Sequence, residues 1–333
     1  MAERERNGPS LTQRASFVAS LARKVPENIP VPNPFERRTL ARAVEGKFVL
    51  ITGASSGIGR ALALKVGAAG GEVLLVARTR EKLDEVASEI REEGGAAHVH
   101  ACDLSSREDV VRMADEVLAE HGRVDVLVNN AGRSIRRSVA QSYDRIHDYE
   151  KTMDLNFFGA VQLILKVLPG MRERRSGHII NISTMGLQTN TPRFSAYLAS
   201  KAALDAFSRS IASEIVDDRV AISTVYMPLV RTPMIEPSRH YKYFPALSPD
   251  EAAEMVAHAI ASRNKKQSTL TGRLSEVTYA TVPRVQDAIA NAGYRMFPDS
   301  KPRSERVEGE GDEQGDGSAE QKAFARATRG THW

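Results

Sequence analysis

A tyrosine and a lysine four residues apart are the first residues in this sequence that could carry out proton chemistry. Tyr197 and Lys201 lie in the stretch RFSAYLASKAALDAFSRS, which has the spacing and small-residue content of a helix. Residues four apart share a helix face, so the phenol and the ammonium are neighbours. A cation beside a phenol lowers a pKa that is ordinarily near ~10, which would make Tyr197 a proton donor. An ordinary surface pair has the same spacing, and the pair alone favours that interpretation.

A glycine-rich turn stands where a strand is expected to lead into a helix. The stretch TGASSGIGRALA begins at Thr52 and carries Gly53, Gly57 and Gly59. Glycine lets the backbone approach a pyrophosphate, and the helix N-terminus supplies amide donors and the positive end of the helix dipole. The turn therefore favours dinucleotide binding. It does not fit a nucleoside-triphosphate loop, because no Lys-Ser or Lys-Thr follows the last glycine.

The residues after the second apolar run bear on the choice of coenzyme. Folds that choose NAD usually place an acid there to bind the ribose 2′-hydroxyl. This sequence has Arg78, Thr79 and Arg80, and the first acid is Glu81. Guanidinium groups suit a 2′-phosphate through charge-assisted hydrogen bonds. The sequence therefore favours NADPH over NADH, although an ordinary basic helix start would look the same.

Short apolar runs alternate with amphipathic stretches from Gly46 to about Arg273. This alternation predicts an α/β fold with a Rossmann-like, doubly wound parallel sheet in a single domain. The runs are rich in β-branched residues, as buried parallel strands are. The predicted strands are Lys47–Thr52, Glu72–Ala77, Ala97–Cys102, Val124–Asn129, His178–Ser183 and Val220–Tyr226. The stretch SPDEAAEMVAHAIASR predicts a helix that begins with a capping box at Ser248 and Glu251.

Segments of different composition flank this unit. Residues 1–45 form a basic extension in which Leu11 to Val25 has helical spacing, followed by a proline-rich linker. That helix could contact a membrane surface, a subunit or its own domain. The main domain, with its substrate lid, is assigned to 46–300, and 301–333 contains an acidic, glycine-rich segment. Ser304 to Gln321 is predicted to be disordered, and the basic segment after it either frays or docks on the body.

Composition excludes several classes of protein. In 333 residues, 41% are hydrophobic and 26% charged, which is ordinary for a globular protein. No apolar run approaches the ~20 residues that span a bilayer and no secretory leader is evident, so a cytoplasmic location is expected, with peripheral membrane contact at most. The single cysteine, Cys102, excludes an intramolecular disulfide and a multi-cysteine metal site, and no metal is predicted. A net charge of +4 without a basic cluster argues against nucleic acid as a partner.

Four motifs in register carry a resemblance to a known family. TGASSGIG, CDL after the third strand, NNAG after the fourth and YLASK together resemble the short-chain dehydrogenase/reductase family, over about Gly46 to Met234. The resemblance implies that Tyr197 is the catalytic acid and that Lys201 binds the nicotinamide ribose and lowers the pKa of the tyrosine. It also implies that Asn156, in MDLNFFGA, holds a water of a proton relay. Because family members are often dimers or tetramers, a homo-oligomer is expected.

The same resemblance implies a coenzyme-binding set and two departures from the family pattern. The set is Gly53, Ser55, Ser56, Gly57, Ile58, Gly59, Arg78, Arg80, Asp103, Leu104, Asn130, Ala131, Gly132, Tyr197, Lys201, Val230 and Thr232. Thr184 stands where the family has its substrate-positioning serine, and Ser183 precedes it. Since adjacent strand residues point to opposite faces, Thr184 is the expected oxyanion contact. Leu229 replaces a glycine after the sixth strand, so the course of that loop is open.

Three longer stretches resemble bacterial fatty acyl-CoA reductases of the short-chain dehydrogenase type. They are AGRSIRRSVAQSYDRIHDYEKTMDLNFFGA, TNTPRFSAYLASKAALDAF and MPLVRTPMIEP. The resemblance implies NADPH-dependent reduction of a fatty acyl-CoA to an aldehyde. The alternative is reduction of a β-ketoacyl thioester or long-chain ketone. A third interpretation is that the protein is a non-catalytic dinucleotide-binding sensor or scaffold.

The region after Met227 is expected to form the lid over such a substrate. Its apolar residues could line a tunnel, with basic residues at the mouth, or could simply pack the lid. The apolar residues are Met234, Ile235, Tyr241, Tyr243 and Phe244, and the basic ones are Arg231, Arg239 and Lys242. Cys102 is predicted to lie beside the adenine pocket, too far from Tyr197 to form a covalent thioester. Hydride would therefore attack the thioester carbonyl directly.

Overall fold

The computed structural model describes residues 39–235, 244–297, 319–328 and 330. Seven parallel strands in these residues form a single sheet. They are β1 (Phe48–Thr52), β2 (Glu72–Ala77), β3 (Ala96–Ala101), β4 (Val126–Asn129), β5 (Gly177–Thr184), β6 (Val220–Met227) and β7 (Lys266–Ser268). The order across the sheet is β3-β2-β1-β4-β5-β6-β7. The Rossmann-like fold and the six predicted strands are confirmed, whereas β7 was not predicted because its sequence KQS is too short and polar to form an apolar run.

Helices cover both faces of the sheet. They are α1 (Leu40–Val44), α2 (Gly57–Ala68), α3 (Arg80–Glu92), α4 (Arg107–His121), α5 (Ile146–Met153), α6 (Ala160–Glu173), α7 (Gly186–Thr189), α8 (Ser195–Ala212), α9 (Pro249–Ser262), α10 (Leu270–Thr281), α11 (Pro283–Met296) and α12 (Ala319–Ala327). A short 3₁₀ turn covers Val139–Gln141, and a π-helical segment, Asp154–Gly159, joins α5 to α6. The predicted capping box of α9 is confirmed: Ser248 Oγ accepts from the Glu251 amide at 3.1 Å, and the Glu251 carboxylate accepts from the Ser248 amide at 2.7 Å. No helix within the described residues is long and apolar enough to cross a membrane.

The strands are buried on both faces, which explains their continuous apolar sequences. Successive residues point to opposite sides, so Ile51 packs into the core beneath α2 and α9, whereas Leu50 packs into the core beneath α4 and α6. Both side chains are fully buried. The sheet is therefore a rigid central layer that fixes where the loops at its carboxyl edge emerge.

The strand order reverses between β1 and β4, and polar side chains join the two strand ends there. Thr52 Oγ1 accepts hydrogen bonds from the amides of Asn130 and Ala131, both at 3.0 Å. The Asn130 side-chain amide in turn donates to the Thr52 carbonyl at 2.9 Å. In open α/β sheets a ligand binds in the crevice outside the carboxyl ends of the strands at this reversal. The described fold therefore places its crevice at the glycine-rich turn after Thr52.

The C-terminal segment docks on the body of the protein. Gln321 Nε2 donates to the Met296 carbonyl at 2.8 Å, and Ala325 is 1% exposed. Ala325 belongs to an apolar cluster, here called the lid cluster, that consists of Phe194, Leu229, Phe244, Phe297 and Ala325. The prediction of disorder is therefore wrong for Ala319–Gln321. These residues begin α12, a helix that the packing of Ala325 stabilises.

Other predicted features fall outside the described residues. They are the helix from Leu11 to Val25, the proline-rich linker, the acidic stretch from Ser304 to Ser318, and the lid residues Arg239, Tyr241, Lys242 and Tyr243.

Candidate active site

The hydroxyl groups of Tyr197 and Thr184 meet at the carboxyl edge of the sheet. Thr184 is the last residue of β5, and Tyr197 lies in the first turn of α8. Their side chains are hydrogen-bonded to each other. Thr184 Oγ1 also accepts from the amide of Gly186 at 3.0 Å, which fixes the orientation of the threonine. The two hydroxyls form a pair that could hold one carbonyl oxygen of a substrate.

Ser183 lies next to Thr184 in sequence but does not join this pair. Its side chain is 5% exposed, and its Oγ atom has no hydrogen-bond partner among the described residues. Alternation along the strand turns Ser183 to the opposite face from Thr184. The geometry therefore brings Thr184, and not Ser183, to Tyr197.

Lys201 lies one helical turn after the half-buried Tyr197 and is itself buried. Its ammonium group donates to the carbonyl of Ile182 at 2.8 Å. Burial lowers the pKa of Lys201 to about 8. Burial also raises the pKa of Tyr197 to about 12, and the hydrogen bond with Thr184 acts in the opposite direction. The lowering of the tyrosine pKa by Lys201 stays a prediction, since the causes that act on Tyr197 here are burial and the Thr184 hydroxyl, while the ammonium of Lys201 donates to a carbonyl.

Asn156 connects the loop after β4 to the helix that carries Tyr197. Its Oδ1 accepts from the Arg133 amide at 2.8 Å, and its Nδ2 donates to the Arg133 carbonyl and to Ser200 Oγ, both at 2.9 Å. Ser200 Oγ donates onward to the Tyr197 carbonyl at 2.7 Å. Asn156 lies in the π-helical segment, a local widening that is frequent at functional sites.

Two glycines allow the loops of the site to approach one another. A Cβ atom at Gly159 would lie 2.2 Å from the carbonyl oxygen of Leu104, so only glycine fits between the π-helical segment and the loop after β3. A Cβ atom at Gly132 would lie 3.4 Å from Lys201 Nζ and 3.3 Å from Asn156 Oδ1. The loop containing Asn130, Ala131 and Gly132 therefore runs directly beside the predicted catalytic residues.

The glycine-rich turn adopts the conformation that dinucleotide binding requires. Gly53 and Gly57 have positive φ angles of +68° and +54°. A Cβ atom at Gly59 would lie 2.3 Å from the Gly53 carbonyl oxygen, so the turn closes tightly on itself. Ser56 precedes α2 without a side-chain capping bond, and the first turn carries no acid. The first amides of α2 are thus arranged to receive an anion, with Ser55 and Ile58 half-buried in the same turn.

The residues predicted to contact the adenosine end gather after β2 and β3. Arg78 and Arg80 are exposed, and Leu104 is buried. The Asp103 carboxylate accepts from the amide of Ser105 at 3.0 Å and from its hydroxyl at 2.7 Å. The hydroxyl bond is the main cause that holds the pKa of Asp103 below its ordinary value, and the charge of Arg78 adds to it. Arg78 is therefore close enough to Asp103 for its positive charge to favour the ionised carboxylate.

The loop after β6 closes over the glycine turn. Thr232 Cγ2 lies 3.0 Å from the position of a Cβ atom at Gly57. Val230 forms a parallel bridge with Leu247, which anchors the loop to the start of α9. The sequence left the course of this loop open at Leu229. In the structure the loop turns this leucine into the lid cluster, where it is completely buried.

The lid cluster forms an apolar wall beside Tyr197. Tyr197, Leu198 and Ile235 pack against it, and the Phe194 and Tyr197 ring centroids are 6.4 Å apart. Of the predicted tunnel residues, Phe244 is buried in this wall, whereas Met234 is 46% exposed. No sequence pattern pointed to Phe194, Phe297 and Ala325, because no local spacing links residues so far apart in the chain.

Cys102 directly follows β3, in the region where the adenosine end of the coenzyme is predicted to bind. It is 2% exposed. Burial, assisted by the Asp109 carboxylate, raises its pKa to about 12. A buried thiol that stays protonated is a poor nucleophile.

Comparisons with known proteins agree with this architecture. The sequence profile of the family described as short chain dehydrogenase matches residues 47–242. A fatty acyl-CoA reductase of Acinetobacter baylyi is 49% identical over 290 residues, 87% of this chain and 96% of that protein. An uncharacterized oxidoreductase of Mycobacterium tuberculosis is 52% identical over 303 residues, 89% of this chain and 87% of its own length.

Solved structures show the same fold. A metagenomic short-chain oxidoreductase in complex with NADP is 33% identical with a TM-score of 0.57, and the match covers 68% of this chain and all of that one (100%). The L-sorbose reductase from Gluconobacter frateurii, complexed with NADPH and L-sorbose, is 28% identical with a TM-score of 0.60 over 66% of this chain and 91% of that one.

Proposed function

The chain belongs to the short-chain dehydrogenase family of oxidoreductases, and we propose that it reduces a long-chain fatty acyl-CoA to the fatty aldehyde with NADPH. The observation that carries the proposal is the position of Tyr197. Its hydroxyl is hydrogen-bonded to Thr184 on one side, and its ring packs against the lid cluster on the other. A long acyl chain needs an apolar wall of this kind next to the reacting carbonyl.

Similarity to characterised relatives supports the same substrate class. A second fatty acyl-CoA reductase, from Mycobacterium tuberculosis, is 48% identical over 219 residues, which is 66% of this chain and 74% of that protein. Together with the Acinetobacter reductase it indicates a lipid acyl substrate.

Coenzyme choice follows from the charges after β2. NADPH, when bound at the glycine turn, supplies the hydride. Arg78 and Arg80 are exposed at the place where a carboxylate would select NADH, and neither has an ion pair within the described residues. Guanidinium groups there would bind the 2′-phosphate.

Tyr197 acts as the proton donor in this proposal. Because burial raises its pKa to about 12, the phenol is protonated throughout the neutral range. It would give its proton to the thioester oxygen as the carbonyl carbon accepts hydride, while the Thr184 hydroxyl stabilises the same oxygen. The resulting thiohemiacetal then loses its carbon–sulfur bond, which releases the aldehyde and coenzyme A as the free thiol. Lys201 and Asn156 would position the ribose and the proton relay.

A covalent thioester is not part of the proposed mechanism. The buried, protonated Cys102 lies on the adenosine side of the sheet, after β3, whereas Tyr197 follows β5. In the proposed mechanism hydride attacks the substrate carbonyl directly, and Tyr197 and Thr184 act on its oxygen.

The test is NADPH oxidation by the purified protein with palmitoyl-CoA beside a long-chain β-ketoacyl thioester. Aldehyde and free thiol should form in equal amounts from palmitoyl-CoA, and Tyr197→Phe should abolish both. Tyr279→Phe is the matched control, because Tyr279 is an exposed tyrosine on α10. Turnover of the ketone alone would make the protein a ketone reductase. NADPH binding without any turnover would make it a dinucleotide sensor.

A further inference from the structure

Three histidines and two glutamates meet at the edge of the sheet. His98 and His100 are two residues apart on β3, so they point to the same face. His121 is the last residue of α4, which packs on that face, and Glu120 precedes it. Glu72 opens the neighbouring strand β2. Strand β3 is four strand spacings, about 19 Å, from β5 and Thr184, so the cluster lies apart from the candidate active site.

The ligand atoms of this cluster have metal-like separations. His121 Nε2 lies 3.4 Å from His100 Nε2 and 3.7 Å from Glu120 Oε1. One ligand atom each from His98, Glu120 and His121 lie within 4.8 Å of one another. Two ligands at ~2.0–2.1 Å from a tetrahedral zinc ion are roughly 3.3–3.4 Å apart. The His100–His121 separation matches this value, the His121–Glu120 separation is 3.7 Å, and the group of His98, Glu120 and His121 extends to 4.8 Å.

Hydrogen bonding within the described residues accounts for only part of the arrangement. His98 Nε2 is buried and has no hydrogen-bond partner within the described part of the chain, and the Glu72 carboxylate lies 3.6 Å from it. The Nε2 atoms of His100 and His121 face each other, so the pair can share at most a single proton.

The surrounding charges and the solvent access also suit a cation. His121 lies at the negative end of the α4 dipole, and Glu72 and Glu120 add carboxylates. The Glu120 side chain is 60% exposed and that of His98 33%, whereas that of His121 is 5% exposed. An ion could therefore enter from the surface at Glu120 and be held by His121 from within.

We propose that His98, His100, His121 and Glu120 form a binding site for a divalent metal ion, with Zn²⁺ as the best fit. Imidazole nitrogen and carboxylate oxygen without thiolate are ligands that zinc shares with Co²⁺ and Ni²⁺. The bound ion joins the edge strand β3 to the end of α4 on the face of the sheet that His98 and His100 share. Its role is structural, and it adds no step to the reduction.

The experiment uses the full-length protein after EDTA treatment and gel filtration. Zn²⁺ alone is titrated by calorimetry, Co²⁺ is followed by its visible absorption, and hydrogen exchange of the β3 amides is measured with and without Zn²⁺. We expect one equivalent of Zn²⁺, a tetrahedral Co²⁺ spectrum, a higher Tm and slower exchange in β3. Loss of a group that only orients a ligand costs about 10–100-fold in metal affinity, so Glu120→Gln, which removes a proposed ligand, should weaken binding by at least this factor. His98→Gln with His121→Gln should abolish binding.

The controls keep this test decisive. His147→Gln alters an exposed histidine that lies 3.4 Å from the Asp148 carboxylate on α5, and it should bind Zn²⁺ like the wild type. Glu120→Gln changes an exposed side chain, so its folding is secure even if the double variant misfolds. Equal Zn²⁺ affinity in the wild type and Glu120→Gln, together with unchanged β3 exchange, would overturn the proposal. So would the absence of stoichiometric binding to the wild type.

Discussion

The amide of Leu229 donates a hydrogen bond to the carbonyl of Gly330 over 3.1 Å. Leu229 lies in the loop after β6, and Gly330 lies beyond α12 at the far end of the described chain. A Cβ atom at Gly330 would lie 3.0 Å from Met185 Cε, and Met185 follows Thr184 directly. The C-terminal segment is therefore part of the wall that surrounds Thr184 and Tyr197.

A charge placed in this wall should impair the enzyme, and the same charge outside it should not. Ala325 is 1% exposed in the lid cluster, whereas Ala323 on the same helix is exposed. Ala325→Asp buries a carboxylate without a partner, which costs roughly 1–3 kcal/mol or undocks α12. We expect a lower Tm and a KM for palmitoyl-CoA raised several-fold. Ala323→Asp has the same helix propensity cost and serves as the control; equal effects of the two variants would contradict the docking of α12.

Removal of the Thr184 hydroxyl should slow the reaction, while removal of its neighbour should not. Thr184→Val keeps the shape but deletes the partner of Tyr197, so kcat should fall about 10²–10³-fold, as for loss of one oxyanion donor. Ser183→Ala deletes a buried hydroxyl with no partner within the described residues, and both kcat and Tm should stay near the wild-type values. Steady-state kinetics of the two variants measure this. A larger fall in kcat for Ser183→Ala than for Thr184→Val would show that Ser183, and not Thr184, contacts the oxyanion.

The two arginines after β2 should determine the coenzyme preference. Arg78→Ala with Arg80→Ala removes the charges available to a 2′-phosphate, and each charge-assisted bond contributes about 1.5–3 kcal/mol. We expect kcat/KM for NADPH to fall by about 10²–10³-fold and that for NADH to change little. Lys82→Ala, an exposed cation on the same helix, is the control. An equal fall in kcat/KM for NADPH and for NADH would show that the two arginines do not bind the 2′-phosphate.

His178 should make the fold sensitive to acid. It is 2% exposed, its Nε2 is hydrogen-bonded to Ser223 Oγ at 2.8 Å, and burial lowers its pKa from 6.5 to about 3. Between these values the unfolded chain binds a proton that the folded chain does not. Stability therefore falls as the pH falls from 6.5 towards 3, by about 1.4 kcal/mol per pH unit.

Urea unfolding at pH 7 and pH 4.5 of the wild type and His178→Gln tests this. The free energy of unfolding of the wild type should drop by about 2–3 kcal/mol more than that of the variant. His147→Gln, which removes an exposed histidine, should retain the wild-type pH dependence. Parallel pH profiles for wild type and His178→Gln would contradict a buried neutral His178.

Several parts of this protein depend only on the local spacing of residues and could be predicted from it. The glycine turn predicts its own positive φ angles, because Gly53 and Gly57 need no distant partner to adopt them. The interval from Tyr197 to Lys201 is a property of one helix, and the six predicted strands are continuous apolar runs. These features are encoded within a few residues, so they can be recognised before any tertiary contact is known.

Tertiary structure alone decided which distant residues share an environment. It turned Thr184 to Tyr197 and Ser183 away, joined Phe194 to Ala325 across more than a hundred residues, and gathered His98, His100 and His121 from a strand and a helix. It also raised the pKa of Tyr197 through desolvation, an effect that residue spacing does not report. Desolvation and packing act through space rather than along the chain, and for that reason neither could be obtained from residue spacing.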